Sequence, residues 1–137
     1  MHKLLPIVER YFLEDRVDAL LTPEEVAGMT ANMLANPHCS VFYVDVDGEV
    51  AGVAGTSTVT SMGKLTTQEV VWRVEKPYTK TKAGSLLFQA LEEDAEARGA
   101  KAITVVAAVD GNEKRLGHSY VAKGYEPLAH TYIKNLE

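Results

Sequence analysis

Cysteine is nearly absent from the sequence, and histidine is sparse. The single cysteine, Cys39, excludes an internal disulfide and fits a reducing compartment. The histidines lack the spacing to a carboxylate or to the cysteine that a metal site needs; they are His2, His38, His118 and His130. We therefore expect a cytoplasmic protein without a metal centre.

Long apolar runs and an excess of positive charge are also missing. No run approaches the length that spans a membrane, and the N-terminal residues lack the apolar core and cleavage site of a signal peptide. The chain carries 14 Lys and Arg against 19 Asp and Glu, a net charge of −5, which argues against general binding to nucleic acid. Its 137 residues, 46% of them hydrophobic, predict one globular domain over residues 1–137.

The first part of the chain predicts helices. Mixed helical spacing of apolar residues over residues 4–21 predicts one or two short helices. The motif Thr22-Pro23-Glu24-Glu25 then predicts a helix start, because Thr22 and Glu25 can form a capping box and proline suits the first helical turn. This helix is expected to end before Pro37.

An antiparallel meander is predicted next. Two apolar runs flank Asp47-Gly48, a strong signal for a two-residue hairpin turn. The second run is expected to continue to Met62, and Gly63 then turns the chain into a third strand over Leu65–Glu75. Strict alternation on this strand places Val70, Trp72 and Val74 on one face and Glu69, Val71 and Arg73 on the other.

The second half of the chain alternates helices and strands. A helix is predicted from Ala83 to Arg98, ending at Gly99, and the apolar run Ala102–Val109 predicts a strand covered on both faces. A helix from about Glu113 to Lys123 and a last strand over Leu128–Ile133 follow. The strands on either side of the long helix should be parallel and adjacent. The expected fold is α/β, with a central twisted mixed sheet and helices on both faces.

The loop between the third strand and the long helix suits a phosphate group. It combines hydroxyl groups, two lysines and small residues before a helix N-terminus, where N–H groups and the helix dipole favour an anion. Its residues are Thr79, Lys80, Thr81, Lys82, Ala83, Gly84 and Ser85. A solvated connection between strand and helix is the alternative.

Together these features resemble the GCN5-related N-acetyltransferase family, which transfers an acyl group from a CoA thioester to an amine. The resemblance covers roughly Val41–Ile133. It rests on the Asp47-Gly48 hairpin, the strand–loop–helix from Glu69 to Arg98, the buried strand from Ala102, and Tyr120-Val-Ala-Lys-Gly124-Tyr125. The last piece is similar to the family's Tyr-x-x-x-Gly-Phe/Tyr pattern.

The resemblance implies acetyl-CoA as the cosubstrate. Its pantetheine arm would pair with the third strand as a further strand does, at Val71, Trp72, Arg73 and Val74. The loop would hold the pyrophosphate, although Thr79 stands at the family's arginine position and Lys82 at its first glycine, so that Lys80 and Lys82 would supply the charge. Asn112 is a further candidate contact, one residue before the family's usual asparagine position, which here holds Glu113.

The resemblance also implies two catalytic residues. A protonated amine must lose a proton before it attacks a thioester, and Glu69, followed by the run Val-Val-Trp-Arg-Val, matches the family's general base. Tyr120 matches the general acid that protonates the leaving CoA thiolate. A solvated strand residue and a core aromatic are the respective alternatives.

The acceptor and the overall role stay open at this stage. The resemblance implies direct transfer to an amine on a small molecule, a peptide or a modified base, and it allows a homodimer. The rivals are a catalytically weak or inactive binding or regulatory module, motivated by the altered loop, and a structural protein of the same fold. The stretch Thr56–Ser61 either lines an acceptor groove or is an exposed strand face.

Overall fold

The computed structural model describes residues 3–16, 20–107 and 113–136. The elements in chain order are α1 (Leu5–Arg10), a π-helical turn (Tyr11–Asp15), α2 (Pro23–Ala35), β1 (Cys39–Val46), β2 (Glu49–Ser61), β3 (Lys64–Val74), a 3₁₀ turn (Lys76–Tyr78), α3 (Ala83–Ala97), β4 (Ala102–Thr104) and α4 (Glu113–Ala122). No helix in these ranges is long and apolar enough to cross a bilayer.

The four strands form one sheet in the order β1-β2-β3-β4. Strands β1, β2 and β3 pair antiparallel, whereas β3 and β4 pair parallel. The mixed sheet and the parallel pairing of the strands that flank α3 are thereby confirmed.

Local signals in the sequence account for the start of α2 and for the turn between β1 and β2. Thr22 and Glu25 form the predicted capping box, with N–H to side-chain oxygen distances of 3.1 and 3.2 Å. At the β1–β2 turn, Asp47 and Gly48 have φ values of +51° and +83°, the left-handed pair that matches the twist of a hairpin.

Helices cover both faces of the sheet, and two glycines of β2 identify the faces. A Cβ on Gly55 would meet Met33 of α2, whereas one on Gly52 would meet Leu87 of α3. The α1/α2 face buries Ile7, Val8, Phe12, Val26, Met33, Val53 and Val71. Because side chains alternate along β2, Thr56 and Thr58 share the α3 face with Gly52.

A β-bulge overturns the predicted alternation of β3. Gly55 pairs with Val71 and the next residue, Thr56, pairs with Glu69, so Val70 is an extra residue in β3. Directly opposed residues share a face. Glu69 therefore lies on the α3 face with Thr56, opposite to Val71, and the expectation that Glu69, Val71 and Arg73 point the same way was wrong.

The strand predicted over Ala102–Val109 is also shorter in the structure. It ends at Thr104, and residues 108 and 109 lie outside the described ranges. β3 and β4 part after the pair Gln68–Thr104. Beyond this point the Val106 N–H donates to the Glu69 carboxylate.

The predicted last strand over Leu128–Ile133 is absent from the described chain, where residues 125–136 have no regular secondary structure. Leu128, Tyr132 and Ile133 are 79%, 90% and 62% exposed. A strand needs a partner ladder, and the three-residue β4 offers little edge for one. The preceding helix does end as predicted, with Gly124 at φ +93°.

Candidate active site

The site lies where β3 and β4 part. The N–H of Val106 donates to Oε2 of Glu69 at 2.7 Å. The hydroxyl of Tyr120 donates to the carbonyl oxygen of the same Val106 at 3.1 Å. Val106, which follows β4, therefore hydrogen-bonds to both Glu69 and Tyr120, the residues that the resemblance implies as base and acid.

Burial sets the acidity of Glu69. Loss of solvent raises the pKa of its carboxyl to about 7, against the opposing effects of the Val106 N–H and of the Arg16 charge. A group with this pKa exchanges protons readily near neutral pH, which is the property that a general base requires.

Tyr120 is held in an aromatic cluster between α3 and α4. Its ring centroid lies 6.2 Å from that of Phe88 and 6.1 Å from that of Tyr125. Tyr125 is itself tied to α3, because its hydroxyl donates to Glu92 at 3.1 Å. Burial, and then the charge of Glu69, raise the pKa of Tyr120, so its phenol stays protonated at neutral pH and is available as a proton donor.

Sequence reasoning missed Tyr11 and Arg16, which approach the site from the π-helical turn. Tyr11 is 6% exposed, and Arg16 Nη1 lies 3.5 Å from its hydroxyl. Burial, and then the charge of Glu69, raise the pKa of Tyr11 to about 12. In the sequence Tyr11 is one of several apolar residues of the first predicted helix, and no local signal marks it as a residue of the site.

Arg73 connects the π-helical turn to the end of β3 through hydrogen-bonded ion pairs. Its Nη1 donates to both carboxylate oxygens of Asp15 at 2.9 and 3.0 Å, and its Nε donates to Glu75 at 3.2 Å. Glu75 is also paired with Arg10 of α1. The Arg73 side chain, 10% exposed, is committed to these carboxylates, so its backbone is the part left for a cofactor arm.

Arg73→Met is expected to lower the free energy of unfolding by about 1–3 kcal/mol, because it removes the charge-assisted contacts of a largely buried guanidinium with Asp15 and Glu75. Urea denaturation measures the change. Lys64→Met, at the exposed start of β3, is the matched control and should have little effect. Equal midpoints for the two variants would show that the Arg73 ion pairs do not stabilise the fold.

A cleft of about 740 Å³ lies beside this ion cluster rather than beside Glu69. It is bounded by α1, the β1–β2 turn and the residues after β3, among them Arg10, Glu14, Glu75 and Tyr78. Arg73, which lines the cleft, lies four residues along β3 from Glu69, and a strand rises about 3.3 Å per residue. The cleft and the Glu69–Tyr120 pair are therefore separate features.

The strand residues predicted to contact a cofactor divide between the two faces. Val71 is fully buried in the α1/α2 core. The Trp72 ring packs edge-on against Phe88 of α3 at 5.8 Å, and Val74 is half-buried near Gly84. Their side chains are therefore structural, and the strand backbone is the surface that a pantetheine arm would pair with.

The threonines of the predicted phosphate loop mainly shape the loop. Thr79 donates to Lys76 O at 3.1 Å, Thr81 donates to Tyr78 O at 2.6 Å, and Thr81 Oγ1 also accepts the Ala83 N–H. With the Leu86 N–H bound to Lys82 O, Gly84 and Ser85 carry the open N–H donors of this helix start within the described chain.

These open donors fit an anion. A Cβ on Gly84 would meet only Val74, at 3.8 Å, so the space over this backbone is free. Lys80, Lys82 and Ser85 are exposed around it. Asn112, the other predicted contact, lies outside the described residues, and the described side chains contain no cluster of His, Cys, Asp and Glu that could bind a metal.

Comparisons with known proteins show similarity in sequence and in fold. The sequence matches the model of the acetyltransferase (GNAT) family over residues 3–118. A search of curated sequences gave no match. Among solved structures, a ribosomal-protein-alanine N-acetyltransferase from Brucella melitensis biovar Abortus 2308 superposes with a TM-score of 0.73, at 14% identity over 98% of this chain and 91% of the other.

Two aminoglycoside enzymes are similar in fold. An aminoglycoside acetyltransferase from an uncultured soil metagenomic sample has a TM-score of 0.72 at 18% identity, covering 96% of this chain and 88% of its own. The aminoglycoside N-acetyltransferase AAC(6')-Iy, solved with a bisubstrate analogue that contains CoA, has a TM-score of 0.67 at 13% identity, covering 83% and 80%.

Proposed function

Because the chain belongs to the acetyltransferase (GNAT) family, we propose that it transfers an acetyl group from acetyl-CoA directly to a primary amine. The observation that carries this proposal is the pair Glu69 and Tyr120, joined through Val106 at the parting of β3 and β4. The gap between the strands is the place for the thioester, since base and acid flank it.

Glu69 acts as the general base. It accepts a proton from the ammonium group of the acceptor, directly or through one water, which frees the nitrogen lone pair for attack on the thioester carbonyl. Burial and a pKa of about 7 support this role. Backbone N–H groups of β3 near Trp72 and Val74 stabilise the oxyanion that forms.

Tyr120 acts as the general acid. Collapse of the tetrahedral intermediate breaks the carbon–sulfur bond, and the Tyr120 hydroxyl gives its proton to the departing thiolate. The raised pKa keeps the phenol protonated until that step. The aromatic packing against Phe88 and Tyr125 holds the ring at the gap.

The cosubstrate is bound along β3 and at the start of α3. The backbone of Val71, Trp72, Arg73 and Val74 pairs with the pantetheine arm, and the Gly84 and Ser85 N–H groups, with Lys80 and Lys82, receive the pyrophosphate. Acetyl-CoA supplies the activated acyl group. The Thr79 and Thr81 hydroxyls preform this loop rather than contact the anion.

Replacing both loop lysines, as Lys80→Met/Lys82→Met, is expected to weaken CoA binding about tenfold, because charge-assisted contacts contribute on the order of 1–2 kcal/mol. Isothermal titration with CoA at two salt concentrations measures it, and the variant should show the weaker salt dependence. Lys101→Met, at an exposed position just before β4, is the control. An unchanged dissociation constant would remove the lysines from the binding site.

The activity itself is tested by a screen of amines with acetyl-CoA. Free CoA is detected as a thiol, and the panel includes aminoglycosides, peptide N-termini, lysine peptides, polyamines and aminated nucleobases. Turnover of any amine supports the proposal. Binding of CoA without turnover would favour the alternative of an inactive binding or regulatory module, for which the altered phosphate loop is the argument.

A further inference from the structure

A buried hydroxyl lies close to the base without a described partner. Thr56 of β2 is 1% exposed, and its Oγ1 makes no hydrogen bond with any described residue. A buried hydroxyl without a partner is destabilising, because it has lost its hydrogen bonds to water. Such a group in a native fold calls for a functional explanation.

The sheet register places this hydroxyl opposite Glu69. Thr56 and Glu69 are directly paired across β2 and β3, so both lie on the α3 face with their Cβ atoms about 4.5–5.5 Å apart. The next pair on the same face shows that side chains opposed across these strands can approach each other. Thr58 and Thr67 are also directly opposed, and their hydroxyl oxygens lie 2.8 Å apart.

One oxygen of the Glu69 carboxylate is open to a donor. Val106 N–H donates to Oε2, and no described residue donates to Oε1. Unlike the Thr58–Thr67 pair, Thr56 and Glu69 make no direct hydrogen bond, so one water is needed to bridge the hydroxyl and the open carboxylate oxygen.

We propose that Thr56 is a positioning residue for the base: its hydroxyl donates through one bridging water to the second oxygen of the Glu69 carboxylate. With Val106 on one oxygen and Thr56 on the other, the carboxylate is held in one orientation towards the gap between β3 and β4. This inference rests on the proposed function, in which Glu69 accepts the proton of the amine.

The hydrogen bond favours the ionised form of Glu69. It adds to the other groups that face this carboxylate, which are Tyr11 and Arg16 from the π-helical turn and Tyr120 and Tyr125 from α4 and the residues after it. Loss of the Thr56 hydroxyl alone should therefore move the proton affinity of Glu69 upwards while leaving those groups in place.

The test is Thr56→Val, which keeps the shape and removes the hydroxyl. The rising limb of kcat/KM against pH is expected to move up by about half to one unit, so that the rate near pH 6 falls about three- to tenfold. Thr56→Ser should restore the parent profile. Thr58→Val, which removes the neighbouring hydroxyl on the same face, should leave the limb in place.

A second readout does not depend on activity. The side-chain carboxyl carbon of Glu69, assigned by comparison with Glu69→Gln, is titrated by ¹³C NMR in the parent and in Thr56→Val. A midpoint raised in Thr56→Val and normal in Thr56→Ser supports the proposal even if no acceptor is turned over. Midpoints that coincide in the parent and Thr56→Val would overturn it, whether or not acetyl transfer is found.

Discussion

Glu69→Gln lowers kcat/KM for the amine by about 10²–10⁴-fold near pH 7.5, the usual contribution of a general base. Glutamine keeps the shape and can still accept the Val106 N–H, but it cannot take the proton of the ammonium group. The measurement is a pH–rate profile with saturating acetyl-CoA, and CoA titration shows that the variant still binds the cosubstrate.

The profile separates a base from a merely structural carboxylate. In the parent, activity should rise through about pH 7, because only the ionised Glu69 accepts a proton. Below that pH both proteins lack a base, and above the acceptor's own pKa the free amine needs none. The two proteins should therefore differ most between these limits; a constant ratio at all pH values would exclude Glu69 as the base.

Tyr120→Phe is the second large expected loss. Removal of the phenol takes away the proton donor for the thiolate, and kcat should fall about 10²-fold with little change in CoA affinity. The variant also leaves the Val106 carbonyl without its donor. Steady-state kinetics, combined with CoA titration, distinguish the loss of chemistry from a loss of binding.

Tyr125→Phe is the matched control for Tyr120→Phe. It removes a phenol from the same aromatic cluster, together with a hydrogen bond to Glu92, but it leaves the Tyr120 hydroxyl at Val106. Its effect on kcat should stay within a few-fold. If both variants lose activity equally, the cluster as a whole matters and Tyr120 has no separate role as an acid.

Local signals in the sequence predicted much of the fold. The capping box at Thr22, the hairpin turn at Asp47-Gly48 and the stop at Gly124 each depend on a few neighbouring residues, and the structure contains them. The parallel pairing of β3 with β4 followed from the order strand, helix, strand. The family resemblance identified Glu69 and Tyr120, and both side chains are hydrogen-bonded to the backbone of Val106.

What the sequence did not predict depends on contacts between distant residues. The extra residue Val70 carries no local mark, because only its pairing with β2 shows that it is a bulge. Beyond the early end of β4, the Val106 N–H donates to Glu69, a residue 37 positions away in the chain. The placement of Tyr11 and the burial of Thr56 likewise require helices and strands that are far apart in the chain.

The burial of Glu69 links folding to proton uptake. In the unfolded chain its carboxyl titrates near its ordinary pKa of 4.5, whereas the folded protein holds the proton up to about pH 7. Between these values the folded state binds more protons, so this residue's contribution to stability declines as the pH rises and stays low above pH 7. The protein is thus relatively more stable where its base is protonated and idle, and relatively less stable in the pH range where that base can act.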